Sequence, residues 1–364
     1  MSLGSSAWRA LGPLFALALV WGLFAVLSGS DFTSWDNQRL MLLQTAVVGT
    51  AAVGATFIIA AGGIDLSVGS TIALGTMVVA LLLDAGAGPV MAALGGVATG
   101  VCVGAVIGSA VAGRSDVLAT VALAGVLFAA LRSGIGVGAA LGAAVVVLVA
   151  GVLVGGRLAP RVVLSPFIVT LGAWGALRGL AKGIGDNQPI YPPSSGLEAL
   201  MSSANSVLGL PGGVWILLAV AGLGAVVLAR TPFGREVLAV GSNARTARLC
   251  GVHVPRTLVL VYAGGIGCAG IAAVLQYAFV GMGDPTTAVG YELAVIAAVV
   301  IGGASLSGGE GSIRGTLVGA LIMTVVANGC VKVGLSNWVQ EIVTGAIIVA
   351  AVALDRVRAG RATP

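Results

Sequence analysis

Few side chains in this 364-residue chain are of a type that does chemistry, and their spacing excludes most of it. His253 is the single histidine, and no cysteine, histidine or carboxylate cluster surrounds it in sequence. Neither a metal centre nor a Ser-His-Asp arrangement can be assembled on it. Cys102, Cys268 and Cys330 fall inside apolar runs and Cys250 in a polar one. With no CxxC pair, all four read as packing residues. HExxH, GxSxG and any carboxylate cluster suited to hydrolysis are missing. Asp65 stands out because it sits at the end of an apolar run, where a carboxylate is retained when it is paired or reaches water. Ser67 lies beside it and a new apolar run starts at Leu66. Capping the next helix N-terminus is the simplest role, with gating or coupling as the alternative.

Two strings imitate nucleotide sites. GGIGCAG at 264–270 matches GxGxxG, but it lies inside an apolar run with no strand before it. LSGGE at 306–310 resembles the LSGGQ signature of ABC ATPases, yet the chain has no GxxxxGK[ST] loop, so it does not hydrolyse ATP alone. The sequence implies no cofactor, no metal and no enzyme activity of its own.

The elements that carry these residues are membrane helices. Hydrophobic residues make up 58% of the chain and charged residues 9%, which excludes an ordinary soluble domain. The apolar runs are continuous over roughly seventeen to twenty-four residues, unlike the alternating segments of about ten that build a β-barrel. The fold class is therefore an all-α polytopic membrane protein with about 10–12 transmembrane helices in a single domain, 1–364. The expected spans are 10 to 28, 39 to 61, 67 to 83, 90 to 113, 116 to 133, 138 to 157, 166 to 184, 213 to 230, 256 to 279, 290 to 304, 313 to 334 and 338 to 354. The first is read as a retained helix, since it lacks a small-residue cleavage site and another apolar run follows at once.

With both termini inside, Arg9, Arg114, Arg157, Arg161, Arg230, Arg235, Arg245, Arg248, Arg256, Arg314, Arg356, Arg358 and Arg361 are cytoplasmic. Arg39, Arg132, Arg178, Lys182 and Lys332 remain outside or near the outer boundary. This distribution supports the orientation. The net charge of +5 reflects arginines in loops and makes no case for nucleic acid. The longest outer loop, Gly185 to Gly212, is rich in Pro and Ser, and is either a solvated connector or a contact for an external soluble partner.

Two segments look like copies of one another. FIIAAGGIDLSVGSTIALG at 57–75 and AAVVIGGASLSGGEGSIRGTLVG at 297–319 each pass from an apolar run through Gly-Gly and a Ser-rich break into another run. On this topology they form a weak parallel internal repeat of broken helices, and backbone freed at such breaks is tolerated where it is buried or lines a cavity. Two tight turns of chance similarity are the alternative. Gly62, Gly63, Gly302 and Gly303 thus become gating candidates together with Asp65 and Ser67. Gly96, Gly100, Gly104 and Gly108 recur every four residues, as do Gly311, Gly315 and Gly319, giving flat stripes for helix packing within the chain or, second, between copies.

Between Arg230 and Arg256 runs the polar segment TPFGREVLAVGSNARTARLCGVHVPR, flanked by apolar spans. A basic loop of this kind faces the cytoplasm. Ala247 and Gly251 lie one turn apart within it, so a partner helix or groove is expected to approach that face closely.

These residues carry a resemblance. AAGGIDLSVGS at 60–70, SPFIVTLGAWGALRGLA at 165–181, TPFGREVLAVGSNARTARLCGV at 231–252 and GYELAVIAAVVIGGASLSGGEGSIRGTLVGALI at 290–322 resemble the permease subunit of bacterial ABC monosaccharide importers of the ribose and xylose type. The likeness covers nearly all of the chain outside 114–164. It implies a paired permease, either a homodimer or two homologues, in the inner membrane. It also implies a cytoplasmic tandem-domain ATPase subunit and an external sugar-binding protein. By that resemblance, the cytoplasmic coupling loop at 231–256 looks like the coupling helix that seats in a groove of the ATPase, with Gly241, Asn243, Ala247, Arg248 and Gly251 matching the family's pattern.

The chain also departs from that pattern. About fifty residues, 114–164, intervene before the PFIVTLG segment and are read as an added pair of helices, and the Asn-Gly pair customary before that segment is missing. For the pathway itself, polar residues within or near spans are the candidates: Gln44, Asp65, Ser67, Thr170, Asn187, Gln276 and Asn328. For each, a helix-packing hydrogen bond is the alternative to a pathway contact. Three alternatives stay open: an ion-coupled secondary transporter using Asp65, Glu292 or Glu341; an ABC permease for a nucleoside, a branched-chain amino acid or a furanosyl signalling molecule; and a membrane scaffold.

Overall fold

The computed structural model describes residues 3–114, 143, 146, 164–203 and 206–360. Among these lie twelve α-helices: α1 Leu3–Ser28, α2 Ser30–Thr33, α3 Trp35–Ala60, α4 Val68–Asp84, α5 Pro89–Val111, α6 Pro166–Ile184, α7 Gly212–Arg230, α8 Pro232–Leu249, α9 Val254–Val280, α10 Tyr291–Ile301, α11 Ile313–Lys332 and α12 Asn337–Gly360. The sheet content of the described residues is one hairpin, Ser206–Val207 against Leu210–Pro211, in the 185–212 loop. The chain is an all-α polytopic membrane protein. The expected added helices at 116 to 133 and 138 to 157, in the 114–164 insertion, lie outside the described residues.

Among the described residues, five helices, α3, α5, α7, α9 and α11, are long and apolar enough to cross a membrane. Gly12–Ser28, Val68–Asp84, Tyr291–Ile301 and Trp338–Ala350 are shorter apolar segments. The expected span at 290 to 304 is corrected here. It is the 11-residue α10, about 17 Å long at 1.5 Å per residue, or roughly half of a hydrocarbon core. Most of the 231–256 segment, expected by resemblance to carry a coupling helix, is the helix α8.

α3 and α9 form the centre. A Cβ on Gly54 of α3 would meet the carbonyl of Gly265 and come within 2.7 Å of the Cys268 side chain, so two small residues bring these backbones together. The GGIGCAG string is thus a helix-packing surface. α5 lies along the other side of α9 through its glycine stripe: a Cβ on Gly108 would stand 2.9 Å from Val259 Cα, and one on Gly100 would stand 2.7 Å from Gly270 Cα. On α11, a Cβ at Gly315 would meet the Gly302 carbonyl and one at Gly319 the Ala298 carbonyl, which seats α10 against α11.

Candidate functional site

Both helix breaks begin with the same backbone turn. At the end of α3 the Gly63 amide donates to the Ile58 carbonyl (2.9 Å) and the Gly62 amide to that of Ile59 (2.9 Å), with Gly62 at φ 82°. At the end of α10 the Ala304 amide donates to Val299 (3.1 Å) and the Gly303 amide to Val300 (2.9 Å), with Gly303 at φ 93°. Each is a helix end closed by a left-handed glycine, a conformation other residues resist. The Gly-Gly pairs are one residue out of register: Gly303 stands where Gly62 does, and Gly302 takes the place of Ala61.

The two breaks meet. The Gly309 amide donates to the Ala60 carbonyl at 2.9 Å, joining the 302–312 break to the last residue of α3. Gly241 of α8 lies on the same spot. A Cβ there would strike the Ala60 carbonyl and approach the Gly309 nitrogen at 2.6 Å, while one on Gly308 would stand 2.7 Å from the Gly241 carbonyl and 2.9 Å from Gly62 Cα. Three chain segments therefore touch backbone to backbone through Gly62, Gly241, Gly308 and Gly309. A cavity of about 160 Å³ adjoins the junction, lined by Gly62, Gly63, Val240, Ala244, Leu258 and Tyr262 among others.

α8 is two helices joined by a kink. Thr231 caps its start by accepting from the Gly234 amide (3.2 Å). At Asn243 the backbone leaves helical geometry (φ −161°, ψ 101°), and the Asn243 side-chain oxygen accepts from the Thr246 amide at 3.0 Å. That is an N-cap, so Asn243 starts a second, short helix ending at Leu249. Ala247 is buried against Val240 and Val254. The exposed side carries Arg245, Arg248 and Leu249, the last 84% exposed. Gly251 closes the helix at φ 88°, with the Val252 amide donating to Ala247 (3.0 Å), and a Cβ there would meet nothing. Conformation is what requires glycine at this position within the chain. His253 caps α9, its Nδ1 accepting from the Arg256 amide at 3.3 Å.

The other sequence-derived candidates are dispersed. Asp65, Ser67 and Thr170 belong to the first break. The Asp65 Oδ1 accepts from the Ser67 amide (2.8 Å) and hydroxyl (2.6 Å), and Thr170 of α6 donates to the Ile64 carbonyl (3.1 Å). Ser67 occupies the cap of α4, and Asp65 shapes the turn before it. Gln276 donates to the Thr287 hydroxyl at 3.0 Å, bracing the 281–290 loop that Arg178 also holds through the Pro285 and Thr287 carbonyls. Asn328 stands apart: it exchanges hydrogen bonds with Asn37 at 2.9 and 3.1 Å in a buried pair tying α11 to α3. Asn187 is exposed in a left-handed turn after α6, and Gln44 is half-buried on α3. Sequence reasoning missed Gly308 and Gly309. The available signal was the LSGGE string, whose glycines both take φ 82°.

A family model for the permease component of branched-chain amino acid transport systems matches residues 113–352. The D-allose transport system permease protein of Escherichia coli (strain K12) is 32% identical, over 96% of this chain and 92% of its own length. The ribose import permease protein of Bacillus subtilis (strain 168) is 32% identical over 95% and 92%. The L-arabinose ABC transporter permease protein of Azospirillum brasilense is 31% identical over 92% and 85%. No solved structure matches. With broken helices around a basic helix and relatives over nearly its whole length, the chain belongs to the family of the branched-chain amino acid transport system permease component.

Proposed function

We propose that this chain is the membrane-spanning permease subunit of an ATP-driven importer that admits a monosaccharide of the ribose, allose or arabinose kind. The observation that carries the proposal is the junction at which α8 touches both helix breaks at once. A push on the exposed second half of α8 reaches Ala60 and Gly309 without passing through any flexible side chain. The driving protein is a cytoplasmic ATPase, for which Arg245, Arg248 and Leu249 form the contact. This puts α8 and both termini inside. The 185–212 loop then faces an external sugar-binding protein, and two permeases, identical or homologous, pair within the lipid to enclose the path.

A sugar is favoured over a branched-chain amino acid because the full-length relatives quoted above carry sugar names. The test is purification of the tagged chain from its native membranes in mild detergent, with mass spectrometry of stoichiometric partners. The expected partner is an ATPase with two nucleotide-binding domains. A chain that purifies alone and moves solute into ATP-free liposomes would instead be an ion-coupled transporter.

A further inference from the structure

The exposed apolar face of α7 continues past the start of the helix. α7 buries Val214, Leu217, Ala221 and Leu228 and exposes Trp215, Leu218, Leu223 and Val226 on the opposite side. On a helix that crosses a membrane, an exposed stripe made only of apolar side chains faces lipid. Trp215 stands in the first turn of α7, and its Nε1 donates to the Val207 carbonyl at 3.0 Å. That bond seats the Ser206–Pro211 hairpin at the head of the stripe.

The hairpin tip carries apolar side chains where a turn in water carries polar ones. Ser206 pairs with Pro211 and Val207 with Leu210, which leaves Leu208 and Gly209 as a two-residue turn at φ 51° and 79°. Turns of this kind favour Asn-Gly, because a residue with a Cβ resists the left-handed conformation. Here a leucine is held in it, 86% exposed, beside Val207 at 63%. Leu210 turns the other way and packs on the core. From Ala199 to Ala229 the sequence has no charged residue, so the uncharged run of the span extends through the hairpin and beyond it.

We propose that Val207 and Leu208 are an interfacial anchor that inserts into the headgroup and acyl boundary of the phospholipid leaflet at the N-terminal end of α7. Tryptophan is enriched at that depth because its ring is apolar and its N–H polar. Trp215 meets both demands, with its ring on the lipid-facing stripe and its N–H on the hairpin. Lipid is favoured over a soluble protein as the occupant, because the tip is continuous with the apolar face of the span and lacks the charged rim by which a docking partner is registered. The anchor fixes the end of the 185–212 loop at the lipid surface and leaves its earlier part, through Glu198, to face the solution. It goes beyond the importer reading and does not depend on the cargo.

The test is photocrosslinking of the complete complex in liposomes of radiolabelled phosphatidylcholine. A benzophenone amino acid is placed at position 208 or, as reference, at position 194, where Ser194 is exposed in the polar half of the same loop. Lipid label recovered on the permease should be severalfold higher from 208 than from 194, and unchanged when the external binding protein is added. Position 207 decides the matter if the 208 variant fails to assemble. Lipid labelling from the tip no greater than from 194, or an adduct to the binding protein or to a second permease in its place, would overturn the anchor and leave the importer reading standing.

Discussion

The Gly309 amide and the Ala60 carbonyl, 2.9 Å apart, join the break after α10 to the end of α3, and Gly241 of α8 packs directly on that bond. The three segments meet backbone to backbone at Gly62, Gly241, Gly308 and Gly309. In a membrane interior such irregular backbone persists where neighbouring segments satisfy it.

Gly241→Val places a branched side chain on the Ala60 carbonyl. Overpacking of this kind costs about 1–3 kcal/mol. The strain falls on the linkage between α8 and the breaks, so sugar moved per ATP hydrolysed should drop about tenfold or more, equivalent to about 1.4 kcal/mol. Parallel measurement of uptake and phosphate release in liposomes checks this.

Gly251 gives a graded outcome. Its left-handed φ costs a residue with a Cβ about 1–2 kcal/mol, with asparagine the least affected. Gly251→Asn should therefore retain more thermal stability than Gly251→Ala, read as the unfolding midpoint in detergent. Gly251→Trp should stay folded but abolish ATPase-coupled uptake, since its side chain projects from the surface beside Leu249. Normal uptake by that variant would remove Gly251 from the contact.

Leu249 offers the cleanest separation of docking from folding. At 84% exposure, Leu249→Asp should change the permease's own stability by no more than about 0.5 kcal/mol. Recovery of the ATPase on the tagged permease should fall sharply, as quantified by the band ratio after purification.

Asn37 and Asn328 form a reciprocal buried amide pair. Removing one partner leaves the other unsatisfied at about 1–3 kcal/mol. Asn37→Ala and Asn328→Ala should each lower the unfolding midpoint, and the double variant should lower it by less than their sum. Uptake by the surviving folded protein should be unaffected, because this pair lies away from the breaks.

Much of this arrangement is legible in the sequence, for identifiable reasons. Continuous apolar runs announce α3, α5, α7, α9 and α11, and Gly62 and Gly303 mark where helices stop. α8 is legible only through the family resemblance, because its polar composition sets it apart from the apolar spans; Asn243 turning from helix residue to cap has no signature in spacing. The span expected at 290 to 304 runs past α10 because Gly302, Gly303 and Ala304 continue the low-polarity composition beyond the helix end at Ile301. The convergence of Gly241, Gly308 and Gly309 depends on contacts between distant segments. The last two glycines drew notice only because they imitate an ATPase motif.

The most direct measurement is uptake of labelled sugar into liposomes carrying the wild-type permease, its co-purified ATPase and the binding protein, with and without ATP on the ATPase side. The account predicts accumulation that requires ATP and stops when a non-hydrolysable analogue replaces it. Accumulation at the same rate without nucleotide, driven by an ion gradient, would contradict it.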